Sequence, residues 1–401
     1  MNLTNNNIPV IIVGGGPVGL FLAICLLKKG INCKVIEKRH DPVPDSRSLG
    51  IHPVSLALFD SLGIIKPFLE KGVKMRKGIA LTERKKIGEI SFESCPKPHN
   101  YILACPQFYT EQFLREELSK LDTAALITKA EFKGFEDNEH SVTTKCRVQE
   151  SEKQFSSKFL IGCDGKNSLV RQQASIHFSG KRYPDTYIMG DFKDTTDFGP
   201  DAAVFLLKGG MIECFPLPNG MRRWVVKTTE YISKPTPTDL TKLVKARINY
   251  DLSEVKSTMF SSFGVQHFTA ETFVKNRILL AGDAAHVVSP IGGQGMNLGW
   301  LGAWDLADAL SRIFHNENAS QFEPAPSILK SYSLNHKKTV RKAARRAELN
   351  MWLGRKSSLP FFRNLLVRGM LNTVFRKKTA ELFTMQGLKA GDFNLEKRSH
   401  K

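Results

Sequence analysis

Residues 8–37 read IPVIIVGGGPVGLFLAICLLKKGINCKVIE and contain the strongest fold signal of the chain. Ile8–Val13 is a continuous apolar run of strand length, typical of a parallel sheet that is buried on both faces. After a glycine-rich turn, a helical pattern runs over Leu20–Lys29 and stops at Gly30, and Cys33–Ile36 forms a second strand. The stretch therefore predicts a strand, a tight turn, a helix and a second strand of an α/β fold.

The turn after the first strand carries the pattern G-x-G-x-x-G at Gly14, Gly16 and Gly19, and Glu37 ends the second strand. In such a unit the first glycine permits the tight turn, the second lets the backbone approach a pyrophosphate, and the third allows close helix–strand packing. The N–H groups of the helix N-terminus then face the anion. A carboxylate at Glu37 suits an unphosphorylated ribose and repels a 2′-phosphate, so we expect NAD or FAD here rather than NADP.

Two later strands also end on an acid. Phe159–Cys163 is followed by Asp164, and Arg277–Ala281 leads to Asp283. Because ligands of open α/β sheets bind outside the carboxyl ends of the strands, we expect both acids at a ligand site.

The segment between these strands, about residues 179–268, alternates apolar and polar residues and contains turn signals. It predicts antiparallel strands at Val204–Leu207, Met211–Phe215 and Arg223–Lys227. Residues 75–99 are expected to join the same sheet. The pattern indicates a second layer inserted into the first domain.

The chain has 401 residues and a net charge of +19, but the charge is concentrated near the C-terminus. Residues 330–401 hold 18 Lys and Arg against 4 Asp and Glu. Few aromatic residues lie among these cations, so we do not expect nucleic acid as a partner. The seven cysteines have no CxxC pair, which predicts a reduced, cytoplasmic protein without a metal site.

Three separated motifs occur together: GGGPVG at 14–19 with Glu37, CDGKNSLVR at 163–171, and AGDAAHVVSPIGGQGMNLG at 281–299. With these motifs, over about residues 8–340, the chain resembles the FAD-dependent monooxygenases of the para-hydroxybenzoate hydroxylase type, the single-component aromatic-ring hydroxylases. The resemblance implies a Rossmann-like, doubly wound α/β domain that binds FAD, with an inserted, mostly antiparallel substrate sheet. The expected boundaries are 1–74, 100–178 and 269–325 for the FAD-binding domain, 75–99 and 179–268 for the substrate domain, and 326–401 for a basic C-terminal helical region.

The resemblance also implies which residues contact the cofactor. The pyrophosphate and the adenosine ribose would be held by Gly14, Gly16, Pro17, Val18, Gly19, Glu37 and Lys38. Further cofactor contacts are implied for Arg47, Gln107, Asp164, Asp283, Gly295, Met296 and Asn297. Pro290, Gly293 and Asn297 would form the environment of the flavin ring. His52 is a further candidate for a catalytic role, although a histidine before Pro53 also fits a simple helix start.

The implied chemistry belongs mostly to the cofactor: NAD(P)H binds transiently and reduces FAD, and O2 gives a flavin C4a-hydroperoxide that hydroxylates an aromatic or polyketide-like substrate. Two other enzyme classes on the same fold stay open, a flavin-dependent halogenase and a double-bond reductase. The segment around Trp224 lacks the W-x-W-x-I-P sequence usual in halogenases. A non-catalytic, flavin-loaded binding protein is the alternative from another class.

Phe205, Cys214 and Trp224 of the inserted sheet are candidates for lining a substrate pocket, although large apolar residues on strands also form plain core. The C-terminal region predicts two basic amphipathic helices, the second with Phe362, Leu366, Met370 and Val374 on one face. Such helices contact an anionic membrane surface or an acidic carrier protein that bears the substrate, or they pack on the FAD-binding domain with a solvated basic face.

Overall fold

The computed structural model of the protein describes residues 8–44, 48–315, 327–356, 360–372 and 375–388. The helices are α1 (Pro17–Lys28), α2 (Pro53–Ser61), α3 (Lys66–Lys71), α4 (Gln107–Leu121), α5 (Leu169–Gln173), α6 (Pro237–Ile248), α7 (Gln294–Phe314), α8 (Ser327–Gly354), α9 (Pro360–Asn372) and α10 (Arg376–Phe383). The strands are β1 (Ile8–Val13), β2 (Cys33–Ile36), β3 (Gly50–Ile51), β4 (Val73–Met75), β5 (Lys77–Leu81), β6 (Lys86–Ser91), β7 (Ile102–Ala104), β8 (Leu126–Ile127), β9 (Ala130–Asp137), β10 (Val142–Val148), β11 (Ser151–Gly162), β12 (Phe178–Lys193), β13 (Ala202–Phe205), β14 (Ile212–Leu217), β15 (Met221–Thr228), β16 (Ser257–Ala270), β17 (Val274–Lys275), β18 (Ile278–Leu280) and β19 (His286–Val287).

The first sheet is built around β1, which lies between β2 and β11 with all three strands parallel. The order is β17-β18-β11-β1-β2-β8, and β10 and β9 extend from β11 as an antiparallel ribbon. Residues 10–12 of β1 have no exposed surface, which explains why this strand reads as an unbroken apolar run. Val13 pairs with Gly162, and Gly162 pairs with Leu280, so the carboxyl ends of β1, β11 and β18 meet at one edge.

The helix after the glycine turn is anchored by aromatic packing. Phe21 of α1, Phe59 of α2 and Trp300 of α7 form one buried cluster, in which the rings of Phe59 and Trp300 lie 4.8 Å apart. The Trp300 indole N–H donates a hydrogen bond to the Pro17 carbonyl at 3.0 Å. This contact fixes the start of α1 against the first turns of α7.

The second sheet has the order β19-β16-β12-β15-β14-β13-β5-β6. Its strand pairs are antiparallel except for β13 and β5, which are parallel. One face, called the helix face here, packs against α6 and buries Cys214 and Trp224 with Leu240. The opposite face, called the cavity face, carries Met189 and Val225 and points toward the carboxyl edge of the first sheet. A small third sheet has the order β3-β7-β4.

The C-terminal helices pack on both layers. α8 lies against α7, and α9 lies against β6. Arg363 of α9 is buried, and its guanidinium donates hydrogen bonds to the carbonyls of Leu206, Leu207 and Arg355 at 2.7, 3.2 and 3.2 Å. This arginine therefore fixes α9 to the end of β13 and to the end of α8.

The apolar residues that recur along α9 do not all pack inward. Val367 and Leu371 share the buried face with Arg363, whereas Phe362 and Leu366 are 64% and 48% exposed. Val374 lies outside the described residues. Within the described part of the chain, no helix combines the length and the apolar character that crossing a bilayer requires.

Candidate cofactor and substrate site

A cavity of about 1010 Å³ lies between the carboxyl edge of the first sheet and the cavity face of the second. Its walls come from the glycine loop before α1, the loop before α7, the cavity face and the helices α8 to α10. The predicted site residues that line it are Gly14, Gly16, Pro17, Val18, Glu37, Lys38, His52, Gln107, Asp164, Asp283, Pro290, Gly293, Gly295 and Met296. Gly19 and Asn297 do not line the cavity, and Arg47 lies outside the described residues.

The three motif glycines have different surroundings. Gly14 has a φ of +108°, and a Cβ there would lie 2.4 Å from the Cys163 carbonyl oxygen, so only glycine fits the turn. A Cβ on Gly19 would lie 2.0 Å from the Gly14 carbonyl oxygen. A Cβ on Gly16 would meet no protein atom within 4 Å, because this residue faces the cavity. The loop thus presents bare backbone to a ligand at the N-terminus of α1.

Glu37 closes one end of the cavity and is only 4% exposed. Its Oε2 accepts from the Gly15 N–H at 2.7 Å, and its Oε1 accepts from the backbone and Nε of Arg39 at 2.9 and 3.1 Å. A carboxylate has about four acceptor sites, so capacity remains for ribose hydroxyls. Gln107, at the start of α4, lines the same end and donates to Glu111 at 2.8 Å.

Asp164 follows β11 and has two differently used oxygens. Oδ2 accepts from the backbone N–H groups of Leu169 and Val170 at 2.7 and 3.2 Å, which holds the start of α5. Oδ1 is buried without a hydrogen-bond partner among the residues that the structure describes. Burial raises the pKa of this carboxyl above its usual range, although the bonds to Oδ2 oppose the shift. A buried, unpaired acceptor in a cavity wall is suited to a donor group on a ligand.

Asp283 lies in the short 3-10 turn Gly282–Ala284 that follows β18, and its exposed surface faces the cavity. Desolvation in this wall raises the pKa of its carboxyl to about 6, opposed by the charge of Lys166. A hydrogen-bond donor supplied by a ligand would favour the ionised form of this group.

The loop before α7 is held from behind by Asn297, which is fully buried. Its amide nitrogen donates to the carbonyls of Gly50 and Gly293, both at 2.8 Å, and its Oδ1 accepts from the His52 N–H at 2.8 Å. Gly292 and Gly293 have φ values of +87° and +65°, which places the first N–H groups of α7 at the cavity. The side chain of Asn297 therefore positions the loop rather than facing the cavity.

His52 reaches the same loop from the start of α2. Its Nε2 lies 3.0 Å from the Gly292 carbonyl oxygen, so this nitrogen carries the proton. Burial lowers the pKa of His52 to about 4, and the bond to Gly292 opposes that shift. The ring is therefore neutral near pH 7 and stabilises the loop. His52 is also the N-cap residue of α2, with Pro53 in the first turn, but its side chain makes no capping hydrogen bond.

The three substrate candidates lie on the wrong face of the second sheet for this cavity. Phe205, Cys214 and Trp224 belong to the core of the helix face, and none of them lines the cavity. This corrects the expectation drawn from the sequence. Because side chains alternate along a strand, their neighbours line the cavity instead: Val204, Glu213, Phe215, Arg223 and Val225.

The C-terminal helices also line the cavity, a role that the sequence pattern did not indicate. Val367, Met370 and Leu371 of α9 and Phe383 of α10 form part of the wall. The face of α9 that carries Arg363 packs inward. The sequence did not indicate this orientation, because an arginine in a basic helix is normally expected on the exposed face. A lone acid in an apolar strand, Glu213 in MIECF, was the one available signal for the cavity face.

The residues present fit a dinucleotide that carries a ring system. The bare backbone at Gly16 and the acceptors of Glu37 suit a pyrophosphate and a ribose, and the N-terminus of α7 forms another part of the cavity wall. Among the described residues, no group of three or more His, Cys, Asp or Glu side chains is placed to hold a metal ion.

Comparison with known proteins also indicates a site for a flavin dinucleotide. Residues 7–347 match the family model described as FAD binding domain. The chain is 35% identical over 317 residues to an uncharacterized aromatic compound monooxygenase, YhjG, of Bacillus subtilis, covering 75% of this chain and 61% of that protein. It is 31% identical to a rifampicin monooxygenase of Streptomyces venezuelae, covering 74% and 62%. The chain thus spans about three fifths of the length of these relatives.

Solved structures share the fold. The p-nitrophenol 4-monooxygenase PnpA of Pseudomonas putida superimposes with a TM-score of 0.84 at 21% identity, over 94% of this chain and 98% of that one. The anhydrotetracycline hydroxylase OxyS of Streptomyces rimosus gives a TM-score of 0.77 at 25% identity, over 94% and 76%. The predicted α/β fold with an inserted sheet is confirmed. The chain belongs to the FAD binding domain family, whose cofactor is FAD, which confirms the resemblance seen in its sequence.

Proposed function

We propose that this protein is an FAD-dependent monooxygenase that consumes NAD(P)H and O2 and hydroxylates an aromatic or polyketide-like substrate. The observation that carries the proposal is the continuity of the cavity, which runs from the glycine loop at Gly16 to an apolar sheet wall at Phe215 and Val225. A cofactor site and an apolar substrate site therefore share one continuous cavity. Relatives named for rifampicin, anhydrotetracycline and pentachlorophenol support the substrate class.

In this proposal, the chain's own residues bind and orient the cofactor and shield the ring end of the cavity from water. The glycine loop and Glu37 hold the nucleotide end, and the apolar sheet face with α9 excludes water from the ring end. The N-terminus of α7 contributes the equivalent of about half a positive charge, worth ~0.3–2 kcal/mol to an anionic group beside it. When bound, FAD supplies the transfer of electrons from NAD(P)H and the activation of O2.

In this proposal, NAD(P)H does not bind to a separate dinucleotide-binding unit. The sequence carries one strand–G-x-G-x-x-G–helix unit, at residues 8–28, and it suits the FAD. The reductant therefore binds transiently in the open part of the cavity.

The test is direct. The purified protein should show a flavin spectrum, and a panel of phenols should stimulate NAD(P)H oxidation, with one oxygen atom from isotopically heavy O2 in the product. Turnover without O2 would favour a double-bond reductase. Halide-dependent product formation would favour a halogenase, and flavin binding with no stimulated oxidation would favour a binding protein.

We propose a second contact, between α9 and an anionic lipid surface. Phe361, Phe362, Leu365 and Leu366 form an exposed apolar stripe, from 48% to 71% exposed. The neighbouring helix α10 begins with three exposed cations, Arg376, Lys377 and Lys378. Exposed aromatic residues next to cations are typical of helices that lie in the membrane interface.

Vesicle sedimentation tests this contact. The protein should sediment with phosphatidylglycerol vesicles but not with phosphatidylcholine vesicles, and F361S/L365S should abolish sedimentation. L334S, which removes an equally exposed leucine from α8, is the control. Equal binding of the stripe variant and the wild type would contradict the proposal, and capture of an acidic acyl carrier protein by the wild type alone would favour a carrier contact.

The seven free cysteines support our further proposal of a reducing, cytoplasmic location.

A further inference from the structure

Glu213 is an acid at the centre of the apolar cavity face. It lies on β14, directly opposite Val204 on one neighbouring strand and Val225 on the other. Along its own strand, Phe215 follows on the same face. Directly opposite residues of antiparallel strands point to the same side, so apolar side chains flank this carboxyl on three sides.

The carboxyl of Glu213 is buried, with 8% of the residue exposed, and the surface that remains faces the cavity. Among the described residues it has no hydrogen-bond or ion-pair partner. The charged residues nearby on the cavity face are paired with one another. Arg223 bonds Asp191 through two nitrogens at 2.7 and 2.8 Å, and Lys227 donates to Asp185 at 2.6 Å. Buried polar groups in proteins are paired in the great majority of cases, so a partner from outside the chain is indicated.

A second unpaired polar group lines the same cavity. Asn350 of α8 is 7% exposed, and neither its amide oxygen nor its amide nitrogen has a partner among the described residues. Its nitrogen lies beside Gly292, where a Cβ would approach it to 3.0 Å. The cavity therefore offers an unused amide next to the loop before α7 and an unused carboxyl on the sheet.

We propose that Glu213 contacts the substrate and accepts a hydrogen bond from its hydroxyl group. The inference rests on the proposed function for the class of reaction, and it assigns the substrate as an apolar ring system that carries a hydroxyl. The flanking valines and Phe215 contact the ring, and the carboxyl selects the hydroxylated molecule over its methyl ether, because an ether cannot donate.

The surroundings support this role. Burial alone raises the pKa of Glu213 to about 7. Glu213 acts on one titratable neighbour, Tyr187, whose hydroxyl lies 3.9 Å from the Met211 sulfur and whose own pKa is raised by burial and, to a lesser extent, by Glu213. A carboxyl poised near neutrality in an apolar wall accepts a proton or a hydrogen bond more readily than an ordinary glutamate.

Ligand binding tests the proposal without turnover. The FAD-loaded protein is titrated with 1-naphthol and with 1-methoxynaphthalene, and the flavin absorbance change reports binding. We expect the wild type and the control E254Q, which alters an exposed acid, to bind the naphthol at least about tenfold more tightly than the ether. E213L should bind both within about twofold, and E213Q should keep part of the preference because its amide oxygen still accepts.

The thermal midpoint distinguishes this role from a structural one. E213L should melt at or above the temperature of the wild type, because leucine suits the apolar neighbours. Equal binding of both ligands by the wild type, or an unchanged preference in E213L, would overturn the proposal. A protein that prefers the naphthol yet never couples its binding to NAD(P)H oxidation would overturn the proposed function and leave this assignment standing.

Discussion

Two glycines of the nucleotide loop are expected to have different roles, one in the stability of the fold and the other in cofactor binding. Gly19 packs against the Gly14 carbonyl, whereas Gly16 faces open space in the cavity. The same one-carbon addition should therefore have opposite consequences at the two positions.

G19A should lose about 3 kcal/mol or more of unfolding free energy, because its Cβ would lie 2.0 Å from a backbone oxygen. G16A should keep the stability of the FAD-free protein within about 0.5 kcal/mol and bind FAD at least about tenfold more weakly. Urea unfolding of the FAD-free protein and quenching of FAD fluorescence measure the two effects. A G16A variant with normal FAD affinity would show that the pyrophosphate does not lie at this glycine.

Because the pKa of Glu213 is raised in the folded protein, we expect the free energy of unfolding to depend on pH. Its folded pKa of about 7 lies above the ordinary value of 4.5, so the folded protein retains a proton that the unfolded chain loses in between. The wild type should lose stability relative to E213Q as the pH rises from about 4.5 to 7, by up to about 3 kcal/mol, and the difference should then level off. Urea unfolding of the FAD-free proteins at pH 5 and pH 8 measures it. A difference that does not change with pH would contradict a buried, neutral carboxyl.

Among the elements, the first sheet could be predicted from the sequence, because β1 and β2 are buried on both faces and the glycine turn fixes their connection. The second sheet was predicted as strands, but its faces could not be assigned. Apolar residues occupy both faces of β14 and β15, since α6 covers one and the cavity lies at the other. Although the segment as a whole alternates, the alternation does not distinguish the two faces of β14 and β15, so Cys214 and Trp224 were predicted to line the pocket.

The orientation of α9 also lay beyond the sequence, because a buried arginine decides it. R363L should lower the thermal midpoint by several degrees and expose α9 to proteolysis, since the carbonyls of Leu206 and Leu207 would lose their donor. R363K should rescue little, because lysine lacks the forked geometry. R368L alters an exposed arginine of the same helix and is the control. Equal stability of R363L and R368L would mean that apolar packing alone holds the helix.

At the scale of the whole molecule, the basic C-terminal region is built into the wall of the cavity. Residues 330–401 carry most of the net positive charge, yet α8, α9 and α10 each contribute to the cavity wall. Among the described cations of α8 to α10 only Arg363 is buried, while Val367 and Leu371 line the cavity. One segment therefore forms part of the cavity wall and also presents a charged surface. The second sheet and the helices α8 to α10 therefore bound the cavity jointly.

This arrangement predicts that a substitution on α9 changes substrate size selection without affecting the cofactor. Met370 lines the cavity, and M370W would fill part of it, so 1-naphthol should bind at least about tenfold more weakly while phenol changes by less than about threefold. The flavin spectrum and the FAD content should equal those of the wild type, because the glycine loop and Glu37 are untouched. F362W places the same ring on the exposed face of the same helix and should leave both ligand affinities, the flavin spectrum and the FAD content unchanged. If M370W bound both phenols as the wild type does, α9 would not limit the substrate site, and the cavity face of the second sheet would set substrate size alone.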